Sequence, residues 1–520
     1  MPTASSDSLH QLIRSLDSNE KRYFKMFSER HAGEKKYMLL FDAISKQTEY
    51  NEAALKKKFS KQSFVKQFAV AKNYLFNNLV QVLQQYHGAG GDLREQLEEE
   101  LRKSKLFSRK GLKDLAKKSL QKAESMAIEK ERFNTLLEIY EMRRAEYVQY
   151  AGPAREEFIL RIHELQNDAI RKQQQLIAFS LLWYRFSYIQ TRKYNPRNEE
   201  DFKEAQELLN SPILYLSDET LSRRSVNYKY QILSGIYSYV GQDQKSFEIA
   251  RQIFELKERD FAERKISPRE IIASLYNLCI RCITIPLLNE VPKYLGKFNQ
   301  LRLRDIKSKV DAFERYYPFR IDFCMLTGNF ETGVESIRMY KKQHHHLGDK
   351  MIPNQELIVS WSLLKFYLSF AKYEECISEV NDMMNHPNLK IGNDYEPYLR
   401  LINLLCHYEL GNTVHLEYIA RGTYRFLHRR NHLYGIEKLA LSFIREMGES
   451  KINDDRNEIY RRYLDQSREL IQNPFEKNAL YYFDFISWLE SKLQKTTIAK
   501  IYATRNKAFS KLLLPPIPEW

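Results

Sequence analysis

Apolar positions recur every three to four residues along nearly the whole chain, the spacing that lays one stripe down an α-helix. Residues 63–86 place Phe64, Phe68, Ala71, Leu75, Leu79, Val82 and Tyr86 on such a stripe. Residues 268–285 do the same with Ile271, Ile272, Leu275, Leu278, Cys279, Cys282 and Ile283. Start signals agree with the stripes. Ser267-Pro268-Arg269-Glu270 carries a capping serine, a proline at the first helical position and a glutamate at the third, and Asn473-Pro474-Phe475-Glu476 has the same form. No run alternates with period two ahead of a hairpin turn. The predicted class is all-α.

The stripes are punctuated at a repeating interval. Val240-Gly241-Gln242-Asp243, Leu326-Thr327-Gly328-Asn329, Phe370-Ala371-Lys372-Tyr373 and Leu410-Gly411-Asn412 share one form: an apolar helix end, a small residue, a polar residue and a new amphipathic helix. Further turns are expected at Gly111, Gly152, Tyr194-Asn195-Pro196 and Leu288-Asn289, which gives a period of about 40–46 residues repeated seven or eight times. A glycine past a helix end accepts the left-handed backbone that closes such a turn. A helix pair built this way buries its second face only by stacking on the next pair.

Two of these turns resemble a known class. Gly328-Asn329-Phe330-Glu331-Thr332-Gly333-Val334-Glu335-Ser336-Ile337 is similar to the Gly-Asp-Tyr-x-x-Ala-Ile turn and second-helix start of tetratricopeptide-like (TPR-like) helical repeats. Ala371-Lys372-Tyr373-Glu374-Glu375-Cys376-Ile377 follows it, with Cys376 at the small position. The resemblance implies an α-solenoid of antiparallel helix pairs over residues 92–460, and such folds usually bind peptides or proteins. The period is longer than that family's ~34 residues, and its helix-ending proline is missing. The expected division is an N-terminal helical segment (1–91, ending at His87-Gly88-Ala89-Gly90-Gly91), the repeat array (92–460), and C-terminal capping helices with a Pro-rich tail (461–520). The last part reads as helices over 473–493 and 496–513, the first of them apolar on more than one face.

Composition narrows the class further. With 17 Gly and 15 Pro in 520 residues, turn formers are scarce for a β-rich or linker-rich chain, and 13 % aromatic content is too high for disorder. The most apolar stretch, Leu357 to Ala371, is too short and too interrupted to cross a bilayer, so no membrane partner is expected. The amino terminus shows no secretory pattern, and five cysteines suit a reducing compartment, so the expected location is cytoplasmic.

Net charge is +15, and it concentrates in three acid-free windows. Residues 53–91 carry Lys56, Lys57, Lys58, Lys61, Lys66 and Lys72. Residues 418–436 carry Arg421, Arg425, Arg429 and Arg430, and residues 491–518 carry Lys492, Lys495, Lys500, Arg505, Lys507 and Lys511. The middle window is the sharpest. Arg421, Arg425 and Arg429 recur at i,i+4 beside Tyr424, His428 and His432, a basic helical face suited to phosphate or an acidic peptide. These six residues form the candidate partner-binding face, against the expectation that its arginines pair with acids on an adjacent repeat. Residues 51–86 also admit a helix-turn-helix: Asn51 caps Glu52–Phe59, and a long second helix starts near Ser63 and offers Lys66 and Gln67.

Chemical motifs are missing. The chain has no Gly-rich phosphate loop, no Gly-x-Ser-x-Gly elbow and no His-Glu-x-x-His. Cys279 and Cys282 have the spacing of a zinc pair but share an apolar stripe, so core packing is expected. Consecutive residues on a helix point about 100° apart, so His344, His345 and His346 cannot face one ion together. No catalytic residue, metal or cofactor is expected. The chain reads as a non-enzymatic interaction scaffold that holds a protein or peptide in a solenoid groove. The alternative is a nucleic-acid-associated regulator using the basic N-terminal helices or the Arg421–Arg430 face.

Overall fold

The computed structural model describes residues 8–29, 35–88, 93–145, 151–192, 195–263, 265–285, 287–351, 353–386, 391, 394–449 and 456–520. Among them every regular element is helical and no strand occurs. The chain divides into two compact units, residues 1–171 and 172–520.

The first unit holds α1 (Ser8–Ser15), α2 (Ser18–Glu29), α3 (Lys35–Ser45), α4 (Glu52–Lys58), α5 (Phe68–Gly88), α6 (Leu93–Arg109), α7 (Lys113–Glu129) and α8 (Phe133–Arg144). Helices α1–α5 enclose a core that includes Leu9, Ile13, Phe24, Leu40, Ile44 and Leu55. The predicted stripe Phe64, Phe68, Ala71, Leu75, Leu79 and Val82 is buried in it. Asn51 does cap α4, its side chain accepting from the Ala54 amide at 2.9 Å. The second helix of the expected helix-turn-helix starts later than predicted. Ser63–Gln67 is a 3-10 turn, and Lys66 and Gln67 lie on it ahead of α5. Phe64 meets Phe59 at a tilt of 52° and stacks on Phe68, which draws this turn inward. Of the Gly-rich stretch at 87–91, residues 89–91 lie outside the described residues.

Helix α9 (Pro153–Arg192) crosses from the first unit into the second. The repeat spacing predicts a hairpin here, and the structure has one 40-residue helix. No glycine or proline stands between Pro153 and Arg192 to break it.

The second unit continues with α10 (Glu199–Leu208), α11 (Arg223–Tyr239), α12 (Asp243–Ala262), α13 (Pro268–Thr284), α14 (Val291–Gln300), α15 (Ile306–Thr327), α16 (Phe330–Leu347), α17 (Pro353–Ser369) and α18 (Tyr373–Asn385). It ends with α19 (Tyr395–Glu409), α20 (Thr413–Arg429), α21 (Gly435–Glu449), α22 (Arg456–Leu470), α23 (Pro474–Lys477), α24 (Phe485–Leu493) and α25 (Ile498–Arg505). Successive helices from α11 to α16 and from α17 to α22 pack on their chain neighbours, α17 packs on α15, α22 packs on α24, and α25 folds back onto α15 and α17.

One turn geometry recurs. The residues at Gly111, Gly241, Gly328, Ala371 and Gly411 all have positive φ. After each, the next amide bonds to a carbonyl five residues back, from 2.7 Å at Gln242 to 3.0 Å at Asn412. Three non-glycine residues outside the expected turns, Glu131, Asn431 and Lys495, close helices in the same way. Paired helices also share a register. Ser104 Oγ donates to Ala116 O at 3.0 Å, Ser234 Oγ to Ser246 O at 3.0 Å, and Cys376 Sγ contacts Leu364 O at 3.8 Å, each across twelve residues. A small residue at this place lets two backbones approach. At Gly333, an added Cβ would meet Phe366 of α17 at 2.2 Å.

The C-terminal segment differs from its prediction. The helix expected over 473–493 is broken into α23, a 3-10 turn at Asn478–Tyr481, and α24. Asp484 starts α24 by accepting from the Ser487 amide at 2.9 Å, and its other oxygen takes the Tyr502 hydroxyl at 2.9 Å. Phe485, Ile486, Trp488 and Leu489 of α24 are buried, whereas Tyr481 ahead of it stays exposed. Residues 496–513 likewise form α25 and a 3-10 turn rather than one helix.

Candidate interaction surface

Helix α20 turns Leu416, Thr423 and Leu427 inward and half-buries Ile419, Ala420 and Phe426. The opposite face therefore carries Glu417, Tyr418, Arg421, Tyr424, Arg425, His428 and Arg429, all exposed. Five of the six candidate residues share this face. His432 does not: it lies beyond the left-handed Asn431, half-buried, with its ring 6.2 Å from that of Tyr434 at 88°. Tyr424 and His428 stack at 5.9 Å, one turn apart. Arg421 pairs with Glu417 on its own helix, not with an adjacent one. Among the described residues, Arg425 and Arg429 have no ion-pair partner, so their guanidinium groups point charge into solvent. Beneath them, Arg400 lies 4.2 Å above the Phe426 ring and holds Glu396 at 2.7 Å.

The other two basic windows are partly neutralised by acids that lie outside them in sequence. Lys56 and Lys72 both bind Glu52, at 2.8 and 2.5 Å. Together they hold its carboxyl down at about 2, Lys56 contributing most. Lys492 reaches Glu409 at 2.5 Å, and Arg505 pairs with Glu490.

Two surface features escaped the sequence reading. Tyr418 is 81 % exposed on the α20 face. On α9, Ile177, Leu181, Tyr184 and Tyr188 are each more than half exposed, and their 4-3-4 spacing is that of a coiled-coil seam. That spacing was present in the sequence, but the opposite stripe of Leu176, Phe179, Leu182, Phe186 and Ile189, which is buried, has the same helical period and masks it.

Cys279 and Cys282 are fully buried in the α13 core. Burial raises both thiols, Cys282 to about 12. His344 to His346 occupy the last turn of α16, where His344 Nε2 lies 3.6 Å from Glu356. Among the described residues no helix is long and apolar enough to cross a membrane. Comparison with protein-family models, with curated proteins and with solved structures found no match to this chain.

Proposed function

We propose that this chain is an interaction scaffold, a TPR-like α-solenoid that holds a protein or peptide partner and performs no chemistry itself. The recurring left-handed closures and the twelve-residue register between paired helices support the repeat architecture. Five free, buried cysteines fit a cytoplasmic location. The observation that carries the binding role is the outer face of α20. Exposed tyrosine and arginine are the side chains that most often anchor interfaces, because each joins a large contact area to directed polar groups. An acidic segment of a protein partner would satisfy Arg425 and Arg429.

The test is affinity purification from the native cell with two baits, wild type and Arg425→Glu/Arg429→Glu. A partner retained by the first and lost by the second supports the proposal; identical recovered sets overturn the role of this face. The exposed arginines also favour a second reading, contact with a nucleic-acid phosphate backbone. Mobility shifts with DNA and RNA across a salt series decide it, since phosphate contacts lose affinity steeply as salt rises. Absence of binding at low salt removes that reading.

A further inference from the structure

After the last 3-10 turn the chain runs to its end, residues 512–520, with neither helix nor strand. Its conformation is dictated locally. Leu514, Pro515 and Ile517 each precede a proline and are barred from the helical region, while the prolines fix φ near −65°. Exposure follows a period of three: Leu513, Pro516 and Glu519 face outward, and the residues between them are half-buried. Three residues per turn is the repeat of a polyproline II helix.

The inward side chains Leu512, Leu514, Ile517 and Trp520 pack on the core that α13 to α16 help to form. The Trp520 ring meets Tyr316 at 5.9 Å and 70°. The main chain accepts from side chains on three consecutive helices, the Tyr316 hydroxyl of α15 reaching Pro516 O at 3.5 Å. Asn299 Nδ2 of α14 donates to Pro516 O at 2.6 Å, Arg320 of α15 to Pro515 O at 2.6 Å, and Gln343 Nε2 of α16 to Pro518 O at 3.1 Å. Proline offers a carbonyl and no N–H, so a wall of donors is the complement that a proline-containing segment requires.

Arg320 makes this wall a built site. Its side chain is 5 % exposed, and among the described residues its hydrogen-bond partners are all neutral: Ser336 Oγ at 2.8 Å, the Tyr316 hydroxyl at 3.1 Å and Pro515 O. Among the described residues no carboxylate lies within ion-pair distance of it. The tail's carbonyl thus satisfies a buried cation. The fit is also incomplete. Asn299 Oδ1 and Trp520 Nε1 are buried without a hydrogen-bond partner among the described residues. A ligand with an N–H opposite Asn299 Oδ1 would make one bond that the tail's prolines cannot.

We propose that α14, α15 and α16 form a docking groove for extended, apolar, proline-containing peptide segments, and that residues 512–520 fill it in cis and so gate it. This rests on the scaffold function and names the chemistry of one partner. A tethered tail competes at an effective concentration of about millimolar, so a free ligand enters only when the tail is weak or displaced.

The experiment uses the full-length chain with a loosened tail, Ile517→Asp/Trp520→Ala, and a fluorescein-labelled peptide of sequence SKLLLPPIPEW, read by anisotropy. The loosened chain should bind the peptide at least tenfold more tightly than wild type. Asn299→Ala or Gln343→Ala in that background should weaken binding three- to tenfold, as should alanine at the three proline positions of the peptide. If the double variant loses its helical circular-dichroism signal, Trp520→Ala alone replaces it in the same assay. No binding to a folded, loosened chain overturns the proposal, and so does equal binding to the loosened chain and wild type. Dimerisation of wild type by tail exchange, seen by sedimentation, overturns it in favour of a second copy as occupant. Failure here with α20-dependent capture intact removes the groove and leaves the scaffold; the reverse result removes the α20 partner and leaves the groove.

Discussion

Two arginine-bearing regions of the second unit show opposite uses of one side chain. Arg197, between α9 and α10, is 7 % exposed. It donates to Glu437 at 2.9 and 3.2 Å, to Glu476 at 3.3 Å and to the Tyr398 hydroxyl, and lies 4.5 Å above the Tyr434 ring. Glu476 in turn accepts from the Gly435 and Ile436 amides at the start of α21. On the outer face of α20, Arg425 and Arg429 spend their charge on no acid among the described residues. The buried arginine joins segments more than 200 residues apart. The exposed pair joins nothing within the described fold and is open to a partner. An arginine's number in the sequence says nothing about which of these it will do.

The largest effect is expected at Arg197. Arg197→Met leaves Glu437 buried and uncompensated, and should cost about 3–5 kcal/mol in urea unfolding followed by circular dichroism. A loss below about 1 kcal/mol would mean that the network is not what ties these segments together.

Lys257 is the next largest effect and has the opposite sign. It is 6 % exposed on α12 and donates to the Glu270 carbonyl at 3.5 Å, with no ion-pair partner among the described residues. Burial pushes its pKa down to about 8. The unfolded chain keeps this proton up to about 10.4, so between those values the unfolded state binds more protons and wild-type stability rises with pH. Lys257→Met should therefore stabilise by about 1–3 kcal/mol at pH 7. The gain should shrink as pH climbs from 8 towards 10.5, and unfolding midpoints at pH 7, 9 and 10 check both sign and window.

Glu52, half-exposed between Lys56 and Lys72, is intermediate. Its depressed pKa contributes stability that is fully present above about 4.3 and is lost as pH falls towards 2. Glu52→Gln should cost about 1 kcal/mol at pH 7, after screening at a partly exposed site is allowed for. The difference from wild type should close in an acid titration. Smallest is Arg425→Glu/Arg429→Glu, expected to shift stability by less than about 0.5 kcal/mol while abolishing partner capture. A large loss of stability there would show that the α20 face is structural.

How much was legible follows from the range of each interaction. The α5 stripe and the α13 stripe could be read because period and burial coincide within one helix. The turn at Ala371 could be read because its surroundings match Gly328, although an L-residue at φ 56° costs about 1 kcal/mol more than glycine would. The closures at Glu131 and Lys495 carry no such mark, since neither side chain favours a positive φ; Asn431 does carry one, because Asn tolerates the left-handed region better than other non-glycine residues. The charge windows misled for a different reason. Residues 53–91 contain no acid, yet Glu52 stands one position outside and takes two of the six lysines.

Helix class, caps, the positions of most turns and the extended form of the proline tail were settled by the sequence alone, because each depends on residues within about one or two helical turns. Which arginine is buried, which acid answers a lysine and where the tail lies were decided only by tertiary structure. Arg320 and Pro515 are 195 residues apart, and Arg197 and Glu437 are 240 apart. No local periodicity encodes such pairs; they exist because burying apolar faces brings distant helices together, and a buried polar group must then find whatever partner that packing supplies.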